Sequence, residues 1–347
     1  MVLESEAYDM KRILIATDAW HPQVNGVVTV YEALKTRLEK RGIAVSIIHP
    51  GLFPNMSTPI YPEIRLALFP RRIITRLLEE IKPDAVHIAT EGPVGYATRA
   101  ICKSRGLAFT SAYHTHFHLY TEARLHMPMF TPLLSALMCR FHKPAVRTLV
   151  STESMKRDLE CRGFRHLYVW PIGVDTDLFS RNENSPIPKF QAPVFLYFGR
   201  LAIEKNVDEF FECKLPGTKL VIGDGPDRKR LEKRYGKDAH FVGYKYGKEL
   251  VNWLSICDVL VFPSDTETTG LVMLEAMACG IPVAAHNVRG PCDIITSGKD
   301  GILSNDLAKA AVEALRLDRR ACRETAMQYG WERSVEAYLS NLHFLNN

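Results

Sequence analysis

Short apolar runs alternate with helix-length segments along most of this chain, and that alternation is the feature that most restricts its fold. A first series comprises residues 12–16, 44–49, 83–88, 108–112, 148–152 and 167–170, and a second comprises residues 194–198, 219–222, 240–242, 259–262 and 282–285. Strands separated by helices pair in parallel and form a sheet that helices cover on both faces. The pattern therefore predicts an α/β protein with two parallel sheets.

A change of composition separates the two series. Residues 180–188 are rich in Asn, Ser, Pro and charge, which is typical of an exposed linker. We therefore predict an N-terminal Rossmann-like domain over residues 1–175, a linker over 176–192 and a C-terminal Rossmann-like domain over 193–328. Ligands of such sheets bind outside the carboxyl ends of the strands, so two facing domains would form one interdomain cleft.

The positive charge is concentrated in one half of the chain. Residues 1–175 carry 22 Lys and Arg against 16 Asp and Glu, whereas residues 176–347 carry 22 against 23. The excess lies within residues 61–150, where 12 basic residues accompany 6 acidic ones. This asymmetry predicts an anionic partner for the N-terminal half.

Other sequence features narrow the class of protein. The uncharged apolar stretch from Leu125 to Cys139 is shorter than the roughly 20 residues that a spanning helix requires. The N-terminus carries Glu4, Glu6 and Asp9, which is unlike a signal sequence, so we expect a cytoplasmic protein. The 8 cysteines include no CxxC pair, so we expect reduced and mostly buried thiols.

Two cations follow the first strand of the second series. Arg200 and Lys205 stand in a loop that leads into a helix, where a forked donor, a point charge and a helix N-terminus suit a diphosphate. The alternative is two solvated loop cations. The later segment from Gly223 to Arg228 has only part of a dinucleotide fingerprint, and we interpret it as a strand-to-helix turn with Pro226 at the helix start.

The most informative segment runs from Phe262 to Gly280 and contains two carboxylates, Glu267 and Glu275, with seven residues between them. We expect a helix to begin near Gly270, with its free N–H groups available to an anion. Small apolar neighbours predict that Glu275 is partly buried. Two such acceptors could hold hydroxyls at both ends of a sugar nucleotide, although a capping acid and a surface helix residue are the alternative interpretation.

Together these motifs resemble one family: the retaining glycosyltransferases of the GT-B fold, family four, which include bacterial lipid glycosyl- and mannosyltransferases. The resemblance covers nearly the whole chain. It depends on Asp18–Gly26, Tyr113–Thr115, Pro171–Asp175, Gly199-Arg200 with Glu204-Lys205, Gly223–Pro226, the Glu267/Glu275 pair and Gly280–Val283.

The resemblance implies a role for each matching residue. Arg200 and Lys205 would bind the donor diphosphate, Glu275 the ribose hydroxyls and Glu267 the donor sugar. His114 would lie near the sugar and the acceptor, so the implied catalytic set is His114, Glu267, Arg200 and Lys205. Gly26, Thr269, Gly270 and Leu271 would complete the donor site. The family often has an aromatic residue where this chain has Thr269, which leaves the donor sugar open.

Metal binding is the alternative for the histidine-rich run from Tyr113 to His118. The resemblance instead implies a leaving diphosphate that protein groups neutralise, so we expect no metal and no cofactor. Asp175-Thr-Asp177 imitates a metal-binding motif, and we interpret it as turn chemistry. A front-face reaction is the favoured hypothesis for retention, because the sequence nominates no nucleophilic carboxylate.

The resemblance implies a metal-independent hexosyltransferase. We expect it to move a hexose from a nucleoside-diphosphate sugar, with UDP-glucose or UDP-glucuronate favoured, to a membrane lipid such as diacylglycerol. The alternative is a GDP-mannose-dependent α-mannosyltransferase acting on a lipid or polysaccharide. A C-terminal helix within residues 329–347 would return to the first domain.

Two amphipathic patterns in the basic stretch predict the acceptor side. The candidate acceptor or membrane residues are Arg71, Arg72 and Arg76 in the first pattern and Arg140 and Lys143 at the end of the second. Cationic amphipathic surfaces bind anionic lipids, so we expect a peripheral protein on the inner face of the cytoplasmic membrane. The alternative is core-facing helices, which we favour for residues 71–82.

Two other classes fit less well. A nicotinamide oxidoreductase would need a complete glycine fingerprint with an acid about twenty residues further on, and no strand here supplies both. A nucleic-acid-binding protein would use the basic stretch, but the sequence places no stacking aromatic residues on an exposed sheet. We therefore expect no nucleic-acid partner.

Overall fold

The computed structural model describes residues 11–23, 25–58, 63–114, 131–188, 190–265 and 270–345, and every structural statement here concerns those residues. The chain divides into two compact units. The first comprises the described residues up to 114, residues 132–171 and residues 334–345, and the second comprises the described residues within 172–333.

The first unit follows a strand–helix alternation that begins with a buried strand. Its elements are β1 (Arg12–Ala16), α1 (Gly26–Lys40), β2 (Ala44–Ile48), β3 (Asn55–Ser57), β4 (Arg65–Ala67), α2 (Arg71–Ile81), β5 (Ala85–Ile88), α3 (Pro93–Arg105), β6 (Thr110–Tyr113), α4 (Thr131–His142), β7 (Arg147–Val150), α5 (Glu153–Cys161) and β8 (Leu167–Val169).

Six of these strands form a parallel sheet in the order β2-β1-β5-β6-β7-β8. The antiparallel pair β3 and β4 stands apart as a small hairpin. Its two strands include the polar residues Asn55, Ser57 and Arg65 and so contain no apolar run, which is why the apolar runs did not predict the hairpin.

The second unit repeats the alternation. Its elements are β9 (Val194–Phe198), α6 (Val207–Glu212), β10 (Thr218–Ile222), α7 (Arg228–Tyr235), β11 (His240–Gly243), α8 (Gly247–Ser255), β12 (Val259–Phe262), α9 (Leu271–Ala278), β13 (Val283–Ala285), α10 (Pro291–Ile294), β14 (Gly301–Leu303), α11 (Leu307–Ala314) and α12 (Arg319–Met327). The last helix, α13 (Trp331–Asn341), begins in this unit and ends in the first.

The sheet of the second unit is parallel and has the strand order β11-β10-β9-β12-β13-β14. Leu196 of β9 joins one apolar cluster, whereas its neighbours Phe195 and Tyr197 join another. Successive strand residues point to opposite faces, so apolar layers cover both sides of the sheet. The expected α/β class and its two parallel sheets are confirmed.

The described residues of the segment 176–192 are mostly exposed or half-buried, and some of them form contacts within the second unit. Phe179 is buried, and its carbonyl accepts a hydrogen bond from Arg323 Nη1 at 2.9 Å. The backbone N–H of Asn182 donates to Ser255 Oγ at 2.8 Å. This segment is therefore held against the second unit, and the boundary between the units lies between Pro171 and Ile172.

The end of the chain packs within the first unit. Trp170 Nε1 donates to Ser334 Oγ at 3.1 Å, and Arg147 donates to the Ser340 carbonyl at 2.7 Å. The backbone N–H of Leu345 donates to the Asp84 carbonyl at 2.6 Å. Residues 334–345 thus contribute to the same compact unit as the first strands of the chain.

The described cysteines are all reduced thiols, and most of them are buried. Asp175 forms a turn, because its Oδ1 accepts a hydrogen bond from the Leu178 N–H at 3.0 Å. Both observations agree with the interpretation of these residues from the sequence.

Candidate active site

The carboxyl ends of β9 and β12 lie side by side in the second unit, because these two parallel strands are neighbours in the sheet. The chain continues from β9 to β10 on one side and reaches β12 on the other. Doubly wound sheets bind ligands at such a reversal of strand order, outside the carboxyl ends of the strands. The first loop carries Arg200 and Lys205, and the second leads to Gly270.

The Arg200 loop is fixed by its backbone. The Tyr197 hydroxyl donates to the Arg200 carbonyl at 2.8 Å, and the Leu201 N–H donates to the Asp224 carbonyl at 2.9 Å. Arg200 and Lys205 are both partly exposed. A short 3₁₀ turn ending at Lys205 precedes α6, so the loop does not enter the α-helix directly as the sequence predicted.

The glycine-rich turn after β10 packs backbone against backbone on this loop. A Cβ at Gly223 would collide with the carbonyl oxygen of Gly199, and one at Gly225 would collide with that of Leu201. Helix α7 begins at Arg228, two residues after Pro226 and therefore later than the sequence predicted. These glycines shape the Arg200 loop by allowing close approach.

Helix α9 begins at Leu271, and Gly270 precedes it in the left-handed conformation with φ of 65°. Gly270 has no side chain with which to cap the helix. Glu275 lies on the second turn with 9% of its surface exposed, which agrees with the burial predicted from its apolar neighbours. Burial raises the pKa of Glu275 to about 8. A carboxyl group so placed can accept or donate a hydrogen bond near neutral pH.

Two predicted donor residues, Glu267 and Thr269, lie outside the described residues, as does Thr268. The same is true of His116 and His118 in the histidine-rich run. The roles that the resemblance implies for Glu267 and Thr269 stay predictions.

In the first unit, Asp18 lies in the loop after β1 and contacts the start of α3, the helix that follows the neighbouring strand β5. Its Oδ1 accepts from the Val94 N–H at 2.8 Å, and its Oδ2 accepts from the Gly95 N–H at 3.1 Å. A Cβ at Gly92 would collide with the Asp18 carboxyl. Burial raises the pKa of Asp18, and these hydrogen bonds oppose the rise. The Asp18 carboxylate thus accepts hydrogen bonds from the free N–H groups at the N-terminus of α3. At the N-terminus of α9, the cap residue Gly270 has no side chain that could do the same.

Gly26 is the first residue of α1 and follows the cap residue Asn25, whose Oδ1 accepts from the Val28 N–H at 3.0 Å. A Cβ at Gly26 would meet no described protein atom within 4 Å. The protein itself therefore leaves room for a side chain there, which is compatible with the predicted approach of a ligand.

His114 follows β6, and the hydroxyl of Tyr31 contacts both His114 and His87. Tyr31 Oη lies 2.9 Å from His114 Nε2 and 2.8 Å from His87 Nε2. Burial, with a smaller effect of His142, lowers the pKa of His114 to about 4. Burial, with a smaller effect of His114, lowers the pKa of His87 to about 3. Both imidazoles are therefore neutral at physiological pH.

A second buried network lies at the end of α4. His142 Nε2 is 3.0 Å from Glu91 Oε1, and His142 Nδ1 is 2.9 Å from Ser111 Oγ. His142 is buried, whereas its neighbours Arg140 and Lys143 are exposed. The partners of His142 fix the end of the helix in the core.

Sequence reasoning did not single out Tyr31 or His87, and it included Asp18 only in the segment Asp18–Gly26 that carries the resemblance. His87 carries a usable signal, because it is a titratable residue within an otherwise apolar strand, β5. Tyr31 carries none, since its ring occupies an ordinary apolar position of α1.

The predicted membrane cations lie on two helices of the first unit. Arg71, Arg72 and Arg76 are exposed on α2, whereas the apolar residues Ile74 and Leu78 of that helix are buried. The apolar stripe of α2 therefore faces the core, which agrees with the favoured interpretation of residues 71–82. Arg140 and Lys143 are exposed near the end of α4.

The described ranges contain no group of three or more His, Cys, Asp or Glu side chains arranged to hold a metal ion. Within the same ranges no helix combines the length and the apolar character that crossing a membrane requires.

Two family models match this chain, and together they span most of it. Residues 24–178 match the model described as Glycosyltransferase Family 4, and residues 180–318 match Glycosyl transferases group 1. A solved structure, sucrose-phosphate synthase from Thermosynechococcus elongatus, superposes with a TM-score of 0.77 and 18% identity, covering 95% of this chain and 98% of that one. The two parallel-sheet units thus define a GT-B fold.

The chain belongs to glycosyltransferase family four. It is 32% identical over 337 residues to Sulfoquinovosyl transferase SQD2 of Arabidopsis thaliana, covering 88% of this chain and 64% of that protein, just under two thirds of its length. It is 28% identical to a GDP-mannose-dependent alpha-mannosyltransferase of Mycobacterium tuberculosis, covering 84% and 83%. It is 26% identical to alpha-monoglucosyldiacylglycerol synthase of Acholeplasma laidlawii, covering 85% of each.

Proposed function

We propose that this glycosyltransferase moves a hexose from a UDP-sugar to a membrane lipid, with retention of configuration and without a metal ion. The observation that carries the proposal is the arrangement in the second unit. The cationic loop of Arg200 and Lys205 and the loop that leads to α9 follow neighbouring strands, and the buried Glu275 lies on that helix.

Catalysis follows from where charge develops. As the bond between the sugar C1 and the diphosphate oxygen breaks, the ring gains oxocarbenium character and the diphosphate gains negative charge. Arg200, Lys205 and the N-terminus of α9 supply positive charge to that leaving group. The bond from the acceptor oxygen to C1 forms on the same face, and the acceptor proton passes to a diphosphate oxygen. No protein nucleophile is required in this scheme.

Glu275 fits the role of a ribose-binding group. Its carboxyl is buried next to apolar residues of α9, where a nucleoside hydroxyl would provide it with a hydrogen-bond partner. Glu267 and His114 would contact the donor sugar, as the family resemblance implies.

The relatives favour a lipid acceptor. One is named as a synthase of a glucosylated diacylglycerol, which supports transfer of a hexose to diacylglycerol, and another as a sulfoquinovosyl transferase. The mannosyltransferase similarity favours GDP-mannose as the second candidate donor. Lipid or polysaccharide acceptors would suit that alternative.

An exposed apolar and cationic surface in the first unit supports attachment to an anionic membrane. Phe69 is 89% exposed at a positive φ of 51°, an uncommon backbone conformation for a bulky residue. Leu68 beside it is also exposed, and Arg71 and Arg72 follow at the start of α2. We call these four residues the Phe69 surface. Apolar insertion combined with cationic attraction is the physical basis of peripheral binding at the inner face of the cytoplasmic membrane.

A donor screen tests the activity. The purified protein is incubated with diacylglycerol in mixed micelles and with UDP-glucose, UDP-glucuronate or GDP-mannose, and glycolipid is measured by mass spectrometry. We expect transfer from a UDP-sugar, with an α-linked product by NMR. Transfer from GDP-mannose alone would favour the alternative, and no transfer from any donor to lipid would contradict the proposal.

Variants of the cationic loop test the site. Arg200→Ala and Lys205→Ala should each lower kcat by about 10²–10³-fold, because each removes charge from the leaving group. Lys248→Ala changes an exposed lysine of α8 and serves as the matched control. Near-normal turnover by either loop variant would remove that residue from the mechanism.

A further inference from the structure

Tyr31, His87 and His114 form one hydrogen-bonded chain that crosses three elements of the first unit. The Tyr31 hydroxyl, on α1, lies 2.8 Å from His87 Nε2 of β5 and 2.9 Å from His114 Nε2 after β6. Tyr31 and His87 are completely buried. The far nitrogen of His87, Nδ1, lies 2.8 Å from Thr110 Oγ1.

The donor and the acceptor of each hydrogen bond in this series can be assigned in turn, beginning at Thr110. Its hydroxyl has one hydrogen, and the carbonyl of Val86, which can only accept, lies 3.4 Å from Oγ1. With that hydrogen directed to the carbonyl, Oγ1 accepts from the Nδ1–H of His87. A neutral imidazole carries one hydrogen, so His87 Nε2 is an acceptor.

The same counting continues to His114. Tyr31 donates its single hydrogen to His87 Nε2, and its oxygen then accepts from the Nε2–H of His114. A neutral His114 therefore has a lone pair on Nδ1. Among the described residues that nitrogen has no hydrogen-bond partner, so it is the ring atom left for a ligand.

We propose that Tyr31 and His87 are positioning residues that hold His114 as its Nε2–H tautomer, so that Nδ1 accepts a hydrogen bond from a sugar hydroxyl. This inference rests on the proposed function, which places a glycosyl donor beside His114. Histidine tautomers are set by the partner of the second ring nitrogen, as in carboxylate–histidine pairs at metal and catalytic sites.

The residues packed around Tyr31, His87 and His114 hold these side chains in place and favour their neutral forms. Trp170 lies 5.9 Å from the His114 ring centroid, and Tyr338 lies 5.2 Å from that of His87. The titratable groups that act on the chain are His142, Glu91 and Tyr338, besides its own members. Burial opposes the charged form of both imidazoles. The Nε2–H tautomer should accordingly persist across the neutral range.

Nitrogen-15 NMR of ring-labelled histidine tests the tautomer without any substrate. His114→Gln identifies the His114 resonances. We expect a protonated Nε2 and a bare Nδ1 on His114 from pH 6 to pH 8. A protonated Nδ1 with a bare Nε2 would overturn the inference, since it would mean that the donors run in the opposite direction.

Tyr31→Phe tests the positioning role. It removes the hydroxyl and keeps the ring, so His114 should become a mixture of tautomers and kcat should fall about tenfold, with the KM for the nucleotide sugar nearly unchanged. Tyr338→Phe is the matched control. Tyr338 is a buried tyrosine of the same cluster, and its hydroxyl has no hydrogen-bond partner among the described residues.

The outcomes separate the two proposals. An unchanged His114 tautomer and kcat in a folded Tyr31→Phe variant would overturn the positioning role. So would equal effects of Tyr338→Phe, because they would indicate loss of a buried hydroxyl in general. If the tautomer is as expected but the wild-type protein transfers no sugar, the proposed function fails while the hydrogen-bonded arrangement stands.

Discussion

The environment of a single residue in this protein is set by its burial or by close contact between backbone segments. Burial can be predicted from the sequence, whereas such backbone contacts cannot. The burial of Glu275 is predictable because Leu274, Ala276 and Met277 surround it in sequence. The collision that excludes a Cβ at Gly223 is not predictable, since Gly199 belongs to another strand-to-helix loop. Local composition predicts the first kind of environment, and only the folded backbone provides the second.

Glu275 should make stability depend on pH. Its pKa is about 8 in the folded protein and near 4.5 when exposed, so the folded state retains a proton that the unfolded state loses. Its contribution is complete below about pH 4.5 and is lost as pH rises through 8, at no more than about 1.4 kcal/mol per pH unit. Glu275→Gln should therefore flatten the decline of Tm between pH 5 and pH 8.

The control for this prediction is Glu324→Gln, which changes an exposed glutamate of α12. Thermal unfolding is followed by circular dichroism without nucleotide, because ligand binding would add its own stabilisation. Parallel Tm curves for wild type and Glu275→Gln would contradict the assigned burial effect.

At the scale of elements, the apolar runs located every strand of the two six-stranded sheets except β14. The β3–β4 hairpin was also missed, although β8 and β13, which were predicted, are equally short. Amphipathic spacing predicted α2, whose apolar side faces the core, but the spacing cannot distinguish a core-facing helix from a membrane-facing one. The exposed residues that support membrane binding instead precede the helix, at Leu68 and Phe69.

The Phe69 surface should control membrane binding. Replacing Phe69 and Leu68 together with serine should weaken co-sedimentation with anionic phosphatidylglycerol vesicles at least tenfold, since two exposed apolar side chains no longer insert. Met327→Ser, which changes an exposed methionine of α12 in the second unit, is the control. Equal binding of the double variant and wild type would contradict membrane attachment through this surface.

At the scale of the whole molecule, the alternation of apolar runs and helix-length segments predicted two sheets but not how the chain is divided between the two units. The Tyr31–His87 and Tyr31–His114 contacts join residues 56 and 83 positions apart, which no local pattern encodes. The charge of the second half is near balance, so the proposed donor site depends on the placement of Arg200 and Lys205 rather than on net charge.

Tyr338 links the end of the chain to the stability of the first unit. Its ring is fully buried and lies 5.1 Å from Trp170 and 5.2 Å from His87. Tyr338→Ala should lower the free energy of unfolding of that unit by roughly 3–5 kcal/mol. Urea unfolding is followed by tryptophan fluorescence, with Glu336→Ala on the exposed side of α13 as the control. A loss no larger than that of the control would contradict a structural role for Tyr338.

The packing of residues 334–345 against the first strands has a consequence for biosynthesis. The ribosome delivers β1 early and α13 late, so the first unit lacks Tyr338 and the hydrogen bond from Trp170 to Ser334 until translation has passed the whole second unit. Domains commonly fold in the order of their synthesis. In this protein the second unit has all its residues first, and the half that begins the chain completes its core afterwards.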